Sequence, residues 1–226
     1  MVNPNYESEY REFHLERIKH LIRLLRGYLV PGYKIGIVGW SIFDDMIRSE
    51  FAYCEMYNIV SEEVVKKQEM TSLIPNRTVF YDITGFKGNS SENFMFDGII
   101  FTEVLEHLLA DDSLVLFRIS KLLKNDGMLF FSVPNVSALG KLSMLVLGKN
   151  PYMNKKQILD GAFGGFGHIR EYSFEETKKM LSQYFDIIKL RGLNDYPTFY
   201  NKLAKFLPYI YSETIFAICR KRTPSS

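Results

Sequence analysis

The chain has 226 residues, 46% hydrophobic and 24% charged, with a formal net charge of +2. That is enough for one large core or two small ones; the near-neutral balance argues against a dedicated nucleic-acid binder, and no run approaches the roughly 20 apolar residues of a membrane span. Cys54 and Cys219 stand far apart in apolar runs and read as two buried thiols; with no signal-peptide layout at the start, they point to a reducing cytoplasm.

Residues 6–30 place Phe13, Ile18, Leu21, Ile22, Leu24 and Leu25 near helical period, and Gly27 and Pro31-Gly32 close the helix. A short strand over 33–38 ends at Gly39, a helix covers 42–49, and 51–57 is a second strand. Ser61 followed by two glutamates reads as a helix N-cap. Residues 77–81 form a third strand closed by Asp82, and 96–101 a fourth, followed by a helix over 103–109. Another helix over 111–123 stops at Asn125-Asp126-Gly127, and strand five, 128–133, closes at Pro134-Asn135. Ser173 caps a helix to 184, and strands six and seven follow at 185–190 and 214–219. Strand and helix alternate, so the expected architecture is α/β: a mostly parallel seven-stranded sheet with helices on both faces. One domain over 1–226 is expected, with 137–167 as an inserted lid that holds an apolar helix near 139–147 and the glycines of 161–167. The aromatic stretch 196–211, with Lys202 and Lys205, reads as core and partner contact, so membrane association is not expected.

Residues 94–107 are the most informative stretch. An apolar strand stops at Thr102, and the helix expected after it would hold Glu103, Glu106 and His107 at i, i+3 and i+4, on one face. The C-terminal end of a parallel strand is where open α/β sheets hold ligands.

The order of elements resembles the class I S-adenosylmethionine (AdoMet)-dependent methyltransferases over about residues 10–221, closest to small enzymes of polysaccharide gene clusters. The matching words are Tyr81-Asp82-Ile83, Phe96-Asp97-Gly98-Ile99-Ile100, Glu103-Val104-Leu105-Glu106-His107, residues 122–135, and 167–173. The resemblance implies a Rossmann-like fold with an antiparallel last strand, AdoMet as cofactor, and a small-molecule or glycan acceptor; a homodimer is allowed and nucleic acid is not expected. It assigns Gly39, Ser41, Asn58, Asp82, Ile83 and Thr102 to the cofactor, with Asp82 meeting the adenine amino group and the Ile83 backbone the ring.

The chain departs from that family at two handles. The glycine-rich turn after strand one keeps Gly39, but Ser41 and Phe43 replace the next two glycines, and Ile37 stands where an acid belongs. The acid expected after strand two is missing; Asn58 is the nearest polar substitute, and losing a bidentate anionic acceptor costs about 1.5–3 kcal/mol.

Methyl transfer to a hydroxyl needs in-line geometry, exclusion of water and removal of a proton. His107, His168 and Glu103 are the catalytic candidates. Glu103, Glu106, His107 and His168 together would suit a divalent metal, as in relatives that hold adjacent hydroxyls through a Glu-x-x-Glu-His word. Two functions follow: O-methylation of a sugar or other small hydroxylated acceptor, or a catalytically inactive pseudo-methyltransferase that binds or scaffolds.

Overall fold

The computed structural model describes residues 6–39, 41, 43–62, 65, 77–85, 94–152, 167–194 and 198–223. Seven strands make one sheet: β1 (Lys34–Val38), β2 (Glu55–Val60), β3 (Thr78–Phe80), β4 (Phe96–Thr102), β5 (Leu123–Pro134), β6 (Phe185–Leu193) and β7 (Thr214–Lys221). Their order in space is β3-β2-β1-β4-β5-β7-β6. Neighbours from β3 to β5 pair in parallel, and β7 runs antiparallel to both β5 and β6.

The apolar strands are buried on both faces, and their alternate residues feed two cores. Ile35, Ile37, Ile100, Phe130, Phe216 and Ile218 face helices α1 (Tyr6–Leu25) and α2 (Asp44–Glu50) through Ile18, Leu21, Leu25 and Ile47. Val38, Ile99, Phe101, Leu129, Phe131 and Ala217 face α3 (Asp112–Leu122) and α5 (Phe174–Leu181) through Val115, Ile119 and Leu181. Two further helices, α4 (Leu139–Val146) and α6 (Phe199–Ala204), follow β5 and β6. The caps are local. Asp111 accepts the amide of Leu114 at 2.9 Å, and Ser173 and Glu176 form a reciprocal capping box on α5.

The second strand lies at 55–60, not 51–57. Phe51 is fully buried but closes α2, its amide donating to the Ile47 carbonyl at 3.1 Å, so the apolar residues before Glu55 belong to a helix end. Nor does a regular helix follow β4. Glu103 has φ +55°, its amide continues the ladder to Ser132 O at 3.0 Å, and only a 3-10 turn over Leu105–His107 follows. Most of the glycine cluster and the lid segment 153–166 lie outside the described residues. The lid's α4 buries none of its residues fully, and of the stretch expected as core around α6 Asn201 and Ala204 are buried while the aromatics Phe199 and Phe206 are exposed, Phe206 at 87%.

Candidate active site

The β1–α2 turn starts at Gly39, whose φ of +79° favours glycine, and nothing lies within 4 Å of where its Cβ would be. Phe43 does not enter that space; its ring is 2% exposed in the core beside α1 and α2. What fills the base of the turn is a polar network. Asp44 accepts from the amide and hydroxyl of Ser41, both at 3.1 Å, and from Asn58 Nδ2 at 2.7 Å. The other Nδ2 hydrogen of Asn58 goes to Gly39 O at 2.7 Å, and its carbonyl accepts from Arg48. Asn58 therefore sits inside β2, fully buried, with its amide hydrogens and its oxygen all engaged. It braces the turn from below, and a ribose has no polar atom of it to meet. Burial pushes the Asp44 carboxyl above its ordinary range, against the hydrogen bonds from Asn58 and Ser41.

Asp82 follows β3 in a turn of its own: its Oδ1 accepts the Thr84 amide at 2.9 Å and the Thr84 hydroxyl at 2.5 Å. The Ile83 side chain is buried in the core. Thr102, the last residue of β4, pairs with Ser132 and borders a small space of about 20 Å³ shared with Arg17, Glu103 and Thr214, the size of one water molecule.

The four candidates after β4 and at the lid's end divide into two groups. Glu103, held in a left-handed conformation that costs about 1–2 kcal/mol, turns toward α1. There Arg17 Nη1 meets its Oε2 at 2.6 Å and the Ser132 hydroxyl donates to its Oε1 at 2.7 Å. The expected shared face of Glu103, Glu106 and His107 is therefore broken, and Glu103 stands outside the metal set proposed for it. Glu106, His107 and His168 come together, with one ligand atom from each within 4.8 Å of the others.

Segment 167–172 is stitched onto this turn by backbone. The Ile169 amide donates to Glu106 O at 2.8 Å, Tyr172 N to Pro134 O at 3.2 Å, and Val136 N to Tyr172 O at 3.0 Å. His168 is thereby set edge-to-face on His107, ring centroids 5.1 Å apart. His107 Nδ1 lies 3.2 Å from Gly167 O. A carbonyl only accepts, so Nδ1 carries the proton and the Nε2 lone pair looks toward Glu106 Oε1 at 3.7 Å. Glu106 is fully buried and neither carboxyl oxygen has a hydrogen-bond partner. Burial, reinforced by the charge on Glu103, pushes its carboxyl well above the ordinary range.

Glu171 was not among the sequence candidates, although it stands three residues after His168. Its Oε1 is 3.1 Å from His168 Nδ1, and Lys141 Nζ lies 2.6 Å from its Oε2. Burial opposes its ionisation, but the hydrogen bond from His168 and the Lys141 ammonium outweigh that, and its carboxyl titrates below the ordinary range. An ionised Glu171 accepts a hydrogen bond from His168 Nδ1–H and so leaves Nε2 as the basic atom, on a side chain one-third exposed. That is a base with an orienting carboxylate.

No family model matches the sequence, and no curated protein does. Solved structures do. The N-methyltransferase NodS from Bradyrhizobium japonicum WM9, in complex with S-adenosyl-L-homocysteine, is 16% identical with a TM-score of 0.52 over 93% of this chain and 88% of its own. PH0226 from Pyrococcus horikoshii OT3 is 16% identical with a TM-score of 0.59, over 98% and 97%. An S-adenosylmethionine dependent methyltransferase from Mesorhizobium loti is 17% identical with a TM-score of 0.56, over 88% and 96%. The fold is that of the class I AdoMet-dependent methyltransferases.

Proposed function

We propose that the chain is an AdoMet-dependent methyltransferase that methylates a hydroxyl of a sugar or other small acceptor. The observation that carries this is the His168–Glu171 pair at the C-terminal edge of the sheet, on the same edge as the open turn at Gly39. Such a fold holds ligands on this edge, and methyl transfer to oxygen needs a base there. AdoMet supplies the electrophilic methyl group. Gly39 lets the cofactor's methionine part pass close to the backbone, and Asp82 with Ile83 takes the adenine end. Ser61 and Glu62, the first residues beyond β2, take over the ribose from the occupied Asn58. His168 Nε2 accepts the acceptor's proton, the Glu171 carboxylate stabilises the resulting imidazolium while Lys141 holds that carboxylate in place, and Arg17 holds Glu103 out of the way of the incoming hydroxyl.

Glu106, His107 and His168 also fit a divalent ion, because a buried carboxyl without a partner is the kind of group a cation would recruit. An ion there would supply Lewis acidity to adjacent hydroxyls.

The second reading is an inactive methyltransferase-like scaffold. The Ser41–Asp44–Asn58–Arg48 network favours it, since it closes the position where this fold commonly offers an anionic ribose acceptor.

Calorimetric titration with AdoMet and S-adenosylhomocysteine, with and without Mn²⁺ or Mg²⁺, separates the readings. Micromolar binding supports the enzyme, and a metal-dependent gain lost in Glu106→Gln supports the ion. Absence of heat and of any thermal shift at millimolar ligand leaves the scaffold.

A further inference from the structure

Helices α4 and α6 pack against one another at the edge of the sheet, with the Tyr200 ring about 3.6 Å from where a Cβ on Gly140 would be. The 3-10 turn Tyr209–Tyr211 adjoins them and is tied to the end of β5 by Asn135 Nδ2, which donates to Ile210 O at 2.8 Å. Together they present a large apolar surface. Val146 and Phe206 are 87% exposed, Phe199 73% and Leu147 67%, and Leu145, Leu203 and Tyr209 are exposed on the same three elements. Exposed apolar area of this kind marks a contact surface.

Within its own two segments the charges have one sign. Residues 139–152 and 198–211 contain no Asp or Glu, and their charged residues are Lys141, Lys149, Lys202 and Lys205. Lys141 is held inward by Glu171, which leaves Lys149, Lys202 and Lys205 on the rim. Aromatic and aliphatic tips ringed by lysines are the chemistry of a segment that lies in the interface of an anionic bilayer. A two-fold pairing of this patch with itself would instead set apolar faces together with only lysines at the margin, and like charges facing one another are unfavourable.

We propose that the α4–α6 platform docks on the surface of an anionic membrane, its apolar tips at the headgroup–acyl boundary and Lys149, Lys202 and Lys205 against the headgroups. No helix among the described residues is long and apolar enough to cross a membrane, so the contact is peripheral. The platform joins the candidate site through Lys141, which belongs to α4 and reaches Glu171. Docking sets the His168–Glu171 pair beside the bilayer. The proposal does not depend on the methyltransferase reading, because adsorption to lipid needs neither cofactor nor acceptor.

The test is co-sedimentation of the full chain with phosphatidylcholine vesicles, with and without phosphatidylglycerol. Wild type pellets with the anionic vesicles and is released by salt. Lys202→Glu/Lys205→Glu weakens the partition by at least about fivefold for each lysine, and Phe199→Ser/Phe206→Ser abolishes it. Both variants change exposed side chains, and an unchanged melting temperature checks that they fold. A protein that stays in the supernatant with both vesicle types overturns the proposal. So does equal pelleting of wild type and variants, or a stable dimer that Phe199→Ser/Phe206→Ser splits while wild type ignores lipid.

Discussion

Arg17 Nη1 lies 2.6 Å from Glu103 Oε2, with only 12% and 16% of the two side chains exposed, so the first helix is fastened by an ion pair to the end of the fourth strand. The pair holds Glu103 in its left-handed conformation and closes one side of the candidate site. Arg17→Met leaves a largely buried carboxylate without its guanidinium, and we expect a loss of about 2–3 kcal/mol in unfolding free energy. Arg17→Met/Glu103→Gln should recover part of that loss. Urea denaturation of wild type, Arg17→Met, Glu103→Gln and the double variant gives the coupling, expected at about 1–2 kcal/mol; strictly additive effects would dismiss the pair as a fastening.

Glu106 makes stability depend on pH in a direction opposite to that of most paired carboxylates. Its folded-state carboxyl titrates well above the ordinary value of 4.5. Below that value both folded and unfolded chains carry the proton. As pH rises past it, the unfolded chain releases the proton while the folded chain keeps it. Stability therefore falls until Glu106 itself ionises, at up to about 1.4 kcal/mol per pH unit. Glu106→Gln lacks this slope, so its urea midpoint should gain on that of wild type as pH rises above about 5. Parallel pH profiles for the two proteins would show that the buried acid is not protonated.

Gly39 and Asn58 should fail in different assays. Gly39→Ala strains a backbone at φ +79° by about 1 kcal/mol and puts a methyl group into the open space above the turn. It should fold and lose at least tenfold in S-adenosylhomocysteine affinity. Asn58→Leu strips two donors and an acceptor from a fully buried network and should cost about 2–4 kcal/mol in stability. Calorimetry and thermal melts on both variants check the pattern, and it is wrong if Gly39→Ala binds normally.

Once an acceptor is in hand, His168→Ala should reduce turnover by about a hundredfold or more. Glu171→Gln keeps the shape but loses the charge that fixes the histidine tautomer, and should lower kcat by about tenfold or more with KM nearly unchanged. A radiolabelled methyl-transfer assay reads both. Equal rates for wild type and Glu171→Gln would remove Glu171 from the orienting role.

The fold was legible because strands buried on both faces read as apolar runs, and seven of them stand in the chain in the right order. The second strand was misplaced because Phe51 is as apolar as any strand residue while it closes α2; periodicity over four residues cannot separate a helix end from a strand start. The site was legible in part. His107 and His168, some sixty residues apart, were both singled out, and the structure sets them ring against ring. Glu103 misled because its spacing fits a helix that its positive φ forbids, and φ is not written in a single non-glycine residue. Glu171 was within reach, since a glutamate three residues from a histidine is a common orienting pair. The role of Asn58 was not, because its partners Gly39, Asp44 and Arg48 come from another element. The exposure of Phe199 and Phe206 was hidden too, as composition alone does not separate an interfacial aromatic from a core one.

The last strand in chain order, β7, is not last in space: it lies between β5 and β6, in register with Met128–Pro134 on one side and Phe185–Leu193 on the other. During synthesis the fully buried residues Leu129, Phe130, Phe131 and Val133 of β5 thus wait with an unpaired edge until residues 214–221 emerge. Folding is committed late, and a chain interrupted before Thr214 would present a sticky apolar strand to its neighbours. The same insertion holds β7 itself firmly in the finished sheet, because releasing it requires breaking two ladders at once.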